Sequence, residues 1–419
     1  MIKLYLKQAW HLLKENRLVS GLSIAGTALS VAAVMQIILI HQVNFGNYAP
    51  EVNRFRCLYV TSTQVDSPQS RNRGWMGSRV VKECFYRLSI PEAVTAIASV
   101  TVSLNLPNQR QFNKYAVKAT DAAFWQVFRF SFLSGTPFAE SDWQSGLTRA
   151  VVSEKVARDL FGTVNAVGRT FRISSQEYTV CGVVKDVTKA ADNAYGDVWV
   201  PYTSLQGLDV PNPDYADCTG PFQVIILAHS SNDFEAIRAE MQKTVVAFNA
   251  SLPEKTEVNF VQSPFSQWER VIGADGWSEP DLAGWMKNAG GLIAFLLLLP
   301  ALNIIGITLT QFRKRRPEIG VRKAFGAHSG SLVWQVLCEN LLVSCIGGVI
   351  GLAFSFVILS VCKSFLVSAT TELTVGMLLN PFTVFSAFFF TLLLNLLSAG
   401  IPAWRAAHTP IVHALHDME

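Results

Sequence analysis

The sequence predicts a membrane protein: four transmembrane α-helices, with a large extracytoplasmic α+β domain inserted between helices 1 and 2. Three observations predict it. Half of the 419 residues are hydrophobic and only 16% are charged, against about 25% charged in a soluble domain. Four long stretches contain no Asp, Glu, Lys or Arg. The basic residues gather beside the ends of those stretches. The net charge of +4, from 35 basic and 31 acidic residues, is too even to argue for nucleic acid.

Crossing a bilayer takes roughly 20 mostly apolar residues. The uncharged stretches run from Leu18 to Pro50 (apolar core Leu18–Ile40), Asn288 to Phe312, Asn340 to Cys362 and Leu373 to Trp404. The first core exceeds the ~7–15 residues of a signal-peptide core, so it reads as a retained anchor. The expected spans are 18–43, 285–312, 331–362 and 379–404. They are separated by an outer domain (44–284), a cytoplasmic loop (313–330) and a short outer loop (363–378), and followed by a tail (405–419).

Orientation follows from basic residues near the span ends. Lys3, Lys7, Lys14 and Arg17 precede the first span. Arg313, Lys314, Arg315, Arg316, Arg322 and Lys323 follow the second, and Arg405 follows the fourth. Both termini are therefore placed in the cytoplasm. Residues 1–17 read as an amphipathic helix: the four basic residues fall within an arc of roughly 80° at helical spacing. That helix fits the inner membrane surface or a cytoplasmic extension of the first span; the two readings stay open.

Between Asn44 and Asp281 the composition becomes that of a mixed globular domain. Tyr178–Val184 is β-branched and reads as a buried strand, with Phe171–Ile173 as its hairpin partner. Ser153 can cap a helix whose stop is Gly162, with Glu154 at the positive end of its dipole. Phe234, Ile237, Met241, Val245 and Phe248 recur at helical spacing and predict a second helix over 233–250. Cys57, Cys84, Cys181 and Cys218 fall in this domain without a C-x-x-C spacing, and disulfide pairing among them stays open.

No catalytic, cofactor or metal motif emerges. The sequence has no G-x-x-x-x-G-K-[ST], H-E-x-x-H or G-x-S-x-G. His408, His413 and His416 read as a solvated tail. No span carries an acid or base in its interior, which argues against ion or proton pathways. Gly347 and Gly351 form a G-x-x-x-G pair suited to close helix contact, and Gly26 with Ser30 forms a looser one.

The loop after the second span is the most informative segment. Glu318 and Arg322 are spaced i,i+4 in the favourable order for a helical ion pair, Ile319 and Phe325 offer apolar contact, and Gly326 can end the helix. Charge against anionic lipid explains the basic residues but not the paired Glu318 or the glycines. Here Glu318–Ala327 resembles the E-I-G-x-R-K-A-x-G-A signature of the MacB-like, or FtsX-type, permeases of ABC transporters. Pro402–Ala407 through Leu415 is similar to that family's P-A-x-R-A-A-x-x-P-x-x-A-L ending. Val151–Ala157, Leu160–Gly162, Val167-Gly168 and Tyr178–Asp186 are similar to its periplasmic domain.

The resemblance implies that the loop docks on a separate cytoplasmic ABC ATPase through Glu318, Ile319, Arg322, Lys323 and Phe325. That subunit would bind ATP and Mg, and this chain would need no cofactor of its own and would not be an enzyme. In MacB the ATPase is fused to the permease; with so few residues before the first span, fusion is not expected here. A second permease copy or a related chain would complete the assembly in the bacterial inner membrane. Partners there would include lipid and a periplasmic or outer-membrane protein. Spans one and two would extend outward as a stalk and pass ATPase motion to the outer domain. The work done would be export or extraction of a peptide, a drug-like compound or a lipoprotein. The alternative is an FtsX-like regulator that activates an external cell-wall hydrolase and transports nothing.

Overall fold

A computed structural model of the chain describes residues 17–68, 70–106, 113–208, 210–253, 255–260, 263–273, 280–291, 294, 334, 341–355, 357, 385–386, 388–389 and 392–393. It divides into two units. One comprises 1–43 with 286–419, the other Asn44–Trp285. The amphipathic helix expected before Arg17, most of spans two and four, the 313–330 loop, the 363–378 loop and the tail lie outside the described residues.

In the first unit, α1 (Arg17–Phe45) contains Ser20–Ile38, which by length and composition is long and apolar enough to cross a membrane. Two of its hydroxyls are satisfied within the helix: Thr27 Oγ1 donates to the Ser23 carbonyl at 2.9 Å and Ser30 Oγ to that of Gly26 at 2.7 Å. Such back-bonding lets polar residues sit in an apolar helix without an orphan donor.

The second unit holds β1 (Cys57–Val60), β2 (Thr63–Asp66), β3 (Arg71–Gly74), α2 (Ser78–Val80, running into a π-helical turn at Val81–Phe85), β4 (Ala93–Asn105) and β5 (Asn113–Thr120). It continues through α3 (Phe124–Val127), β6 (Phe132–Gly135), α4 (Glu140–Gln144), β7 (Arg149–Ser153), α5 (Glu154–Phe161), β8 (Thr170–Ile173) and β9 (Gln176–Val184). It finishes with β10 (Val198–Pro201), β11 (Gln223–Leu227), α6 (Phe234–Asn249), β12 (Glu257–Asn259), β13 (Phe265–Ser266) and α7 (Gln267–Val271). A further helix, α8, covers 282–291 at the junction of the two units. The domain is α+β.

The main sheet runs β13-β1-β11-β4-β5-β10-β7-β9-β6, and β8 pairs with both β4 and β9. That double pairing closes a ring of β4, β5, β10, β7, β9 and β8. Closure removes strand edges that would otherwise invite aggregation. Both faces of the sheet are covered. In β1, Leu58 and Val60 join one core while Cys57 and Tyr59 join the other; in β11, Val224 and Ile226 oppose Ile225 and Leu227 in the same way. Strands buried on both faces need unbroken apolar runs rather than alternation. Burying one large side chain such as Trp199 stabilises by about 2–3 kcal/mol.

Local signals set the helices. Ser153 Oγ accepts from the Val156 amide at 3.3 Å, and Gly162 ends α5 at φ 70°. In α6, Ile237, Met241, Val245 and Phe248 are buried. The β8–β9 hairpin pairs Phe171 with Tyr178. In the separate β12-β2-β3 sheet, the Asn249 side chain closes the free edge of β12. It accepts from the Val258 amide and donates to its carbonyl, both at 2.9 Å.

Asp121 ties the turn after β5 to β4. It is 2% exposed, and its carboxyl accepts from Thr95 Oγ1 (2.7 Å), the Ala96 amide (2.8 Å), the Phe124 amide (3.1 Å) and Tyr86 Oη. Burial nonetheless pushes its pKa up to about 6.

Candidate functional site

The docking residues expected from the sequence, Glu318, Ile319, Arg322, Lys323 and Phe325, lie outside the described residues. Gly347 and Gly351 are described, on an apolar helix, α9 (Leu341–Ser355). A Cβ on Gly351 would stand 2.5 Å from the Ala28 carbonyl oxygen and 2.8 Å from Val31 Cβ. One on Gly347 would meet Thr27 Cβ at 2.7 Å and the Ile24 carbonyl at 3.0 Å. The two glycines therefore open a groove for the backbone of α1, and the contact lies within one chain. Gln36 on α1 donates to the Ser355 carbonyl at 3.2 Å. Elsewhere on α9, Val349 is 69% and Phe354 45% exposed, apolar surface suited to lipid. Small residues at helical spacing on the inner face permit this approach.

A second arrangement lies where the chain enters and leaves the outer domain. The first strand and the last are neighbours: β1 pairs with β13 through Leu58–Ser266 and Tyr59–Phe265. Three rings sit alongside. Phe45, the last residue of α1, stacks on Trp268 of α7 at 5.3 Å, and Trp268 meets Trp285 of α8 edge-on at 5.8 Å. Gln267 Nε2 donates to the Asn44 carbonyl at 2.8 Å. Offset-stacked and edge-to-face pairs of this kind add about 0.5–1.5 kcal/mol each beyond burial.

Caps hold α7 and α8 in place. Ser266 Oγ accepts from the Glu269 amide at 3.3 Å, and Glu269 Oε2 accepts from the Ser266 amide at 2.6 Å and from Arg238 Nη2 at 2.8 Å. Asp281 Oδ1 accepts from the Gly284 amide at 2.8 Å, and the Asp281 amide donates to the Ile272 carbonyl at 3.2 Å. The expectations from sequence did not include this root. Ser266-x-x-Glu269 is a capping box that sequence can show. The ring ladder cannot be read there, because it joins residues more than 220 positions apart.

The rest of the described domain offers packing rather than reactive chemistry. Cys57, Cys84, Cys181 and Cys218 are free thiols. Burial pushes Cys57 and Cys84 up to about 12 and Cys181 and Cys218 up to about 11, so little reactive thiolate forms near neutral pH. Maleimide labelling at pH 7.5 is expected to leave these four unmodified in the folded chain and to modify them after denaturation, as read by peptide mass mapping. Among the described residues, no group of three or more His, Cys, Asp or Glu could hold a metal ion.

Comparison with known proteins places these features. The profile of the MacB-like periplasmic core domain matches residues 20–244, and that of the FtsX-like permease C-terminal region matches residues 290–411. The pyoverdine export ATP-binding/permease protein PvdT of Pseudomonas aeruginosa is 23% identical over 98% of the chain. The macrolide export ATP-binding/permease protein MacB of a Shewanella strain is 22% identical over 98% of it. The chain spans 58% and 60% of those two relatives' lengths. The ABC transporter permease YknZ of Bacillus subtilis is 22% identical over 76% of the chain, which spans 74% of YknZ.

Proposed function

Because the chain belongs to the MacB-like, FtsX-type family of ABC transporter permeases with a periplasmic α+β domain, we propose that it works as a lever rather than as a channel. A separate cytoplasmic ATPase binds and hydrolyses ATP with Mg. The 313–330 segment docks on it through Glu318, Ile319, Arg322, Lys323 and Phe325. Four spans with both termini in the cytoplasm carry the motion outward, and a second permease chain completes the assembly. The outer domain then exports or extracts a peptide, a drug-like compound or a lipoprotein. Relatives named for the export of pyoverdine and of macrolides favour this over the activation of an external hydrolase.

The observation that carries the reading is the domain root. With β1 paired to β13 and Phe45 joined through Trp268 to Trp285, the chain's entry and exit are fastened to each other. Displacement of either therefore carries the other with it and pulls on the domain at its root, the hinge-or-shear transmission that packed elements support.

The test is affinity purification of the full chain from its own membranes in mild detergent. An ATPase carrying a G-x-x-x-x-G-K-[ST] phosphate loop is expected to be retained by the wild type, and lost from Glu318→Lys and Arg322→Glu. Equal retention by the variants would sink the docking assignment; absence of any such ATPase from the wild type would sink the lever itself.

A further inference from the structure

The segment 188–197 joins β9 to β10, two strands of the closed ring, and side chains from elsewhere hold it. The Ala190 carbonyl accepts from Tyr48 Oη and from Arg54 Nη2, the latter at 2.7 Å. The carbonyls of Asp192 and Asn193 accept from Lys118 Nζ at 2.9 and 2.7 Å. The amides of Asn193 and Ala194 donate to Glu51 Oε1 at 2.9 and 3.0 Å. The other Glu51 oxygen takes Arg54 Nε at 2.7 Å. From α7, Arg270 Nη1 reaches Asn193 Oδ1 at 3.5 Å. Glu51, Arg54 and Lys118 are 2%, 5% and 3% exposed.

Burying three charged side chains is costly, and well-packed apolar residues of similar volume often serve stability as well or better. Desolvation weighs on Lys118 strongly enough to bring its ammonium down to about 8. What such a cluster offers is a fixed geometry between parts of the fold. Here the parts are specific. Tyr48, Glu51 and Arg54 follow directly on α1, and Arg270 lies in α7, the last helix before α8. The segment they grip belongs to the ring. The root strands also meet the ring through the β11–β4 ladder and through apolar side chains of the two shared cores; apolar packing is non-directional, and the ladder is one line about which two bodies can twist. Lys118 lies on β5 and the gripped segment leads into β10, one and two strands beyond β4. This second attachment lies off that line and resists the twist.

We propose that Glu51, Arg54 and Lys118 form a clamp that fixes the strand ring to the domain root, with Glu51 as the positioning residue for the coupled motion. The clamp rests on the reading that ATP turnover moves the outer domain. Its test is hydrogen exchange with mass spectrometry on the full chain with its co-purified ATPase in nanodiscs, with and without ATP, Mg and vanadate. In the wild type, root peptides (44–60, 265–273) and ring peptides (149–153, 176–184) are both expected to change on trapping. Glu51→Gln keeps the side chain's size but must turn an N–H either toward Arg54 or toward the Asn193 and Ala194 amides, and it removes the charge that holds both sets of donors. It is expected to raise basal exchange at 193–194 by about tenfold. It should also abolish the ring response and leave the root response in place.

A ring response in Glu51→Gln equal to that of the wild type would overturn the clamp while leaving the lever standing. A wild type in which neither root nor ring responds would overturn the lever and the clamp with it. Should Glu51→Gln fail to fold, Arg54→Lys keeps the charge but cannot bridge Glu51 and Ala190 as the guanidinium does. It is then expected to reduce the ring response relative to the root response, and an undiminished ring response would again overturn the clamp.

Discussion

Gly351→Leu is expected to part α9 from α1 and to leave the permease uncoupled. The atom nearest a new Cβ is the Ala28 carbonyl oxygen at 2.5 Å. A backbone atom cannot rotate aside as a side chain can, so the helix itself must move. Overpacking typically costs about 1–3 kcal/mol, and leucine at a backbone-to-backbone contact belongs at or above the upper end. Separation also breaks the bond from buried Gln36 to the Ser355 carbonyl, and a buried polar group left unpaired costs about 1–3 kcal/mol. The check is the thermal unfolding midpoint of the full chain in detergent, together with ATP-dependent exchange in the outer domain. Both are expected to fall. Gly351→Ala should fall in the same direction by less. Ile350→Leu, one residue away at a position 48% exposed, should match the wild type. A Gly351→Leu chain as stable and responsive as the wild type would mean that the two helices do not need this contact.

Asp121→Asn is expected to destabilise the outer domain and to flatten part of its pH profile. One end of the new amide must present N–H to a site that now accepts from the Ala96 or the Phe124 amide, and a buried donor left unsatisfied costs about 1–3 kcal/mol. The pH dependence follows from the folded carboxyl, raised to about 6 from 3.8. Between those values the folded state holds the proton more firmly than the unfolded state. Its contribution is therefore fully present below the unfolded value and is lost as pH rises through about 6. A shift of this size corresponds to about 3 kcal/mol. The gap between wild type and Asp121→Asn should thus widen from pH 7 toward pH 4. Thermal unfolding of the full chain in detergent at several pH values, followed by near-ultraviolet circular dichroism, reads that gap. A gap independent of pH would show that Asp121 does not titrate in this range.

The same two sites differ in how far sequence reaches. Gly347 and Gly351 announce a close helix contact by their spacing alone, because four residues return a helix to nearly the same face. Which helix they meet does not follow from that spacing; α1 lies more than 300 residues earlier in the chain. Asp121 gave no signal. Its four donors come from the π-helical turn region, β4 and α3, and nothing in the neighbouring sequence marks them as its partners. Nothing in the neighbouring sequence marks Glu51, Arg54 or Lys118 as buried. Their burial is a property of the sheet that packs over them.

Local sequence is enough for the layout: an apolar first helix, a mixed α+β domain after it, the Ser153-capped helix, the Phe171–Tyr178 hairpin, and family membership through the Glu318–Ala327 and Tyr178–Asp186 segments. These rest on local propensity, periodicity and motif, which neighbouring residues carry. Only the folded chain shows that β8 closes a ring, that α9 packs on α1, that β1 lies beside β13, and that Glu51, Arg54 and Lys118 meet on the 188–197 segment. Each of these joins residues distant in sequence. Their pairing depends on which surfaces can be buried together and which polar groups can be satisfied at once, and no local pattern carries that information.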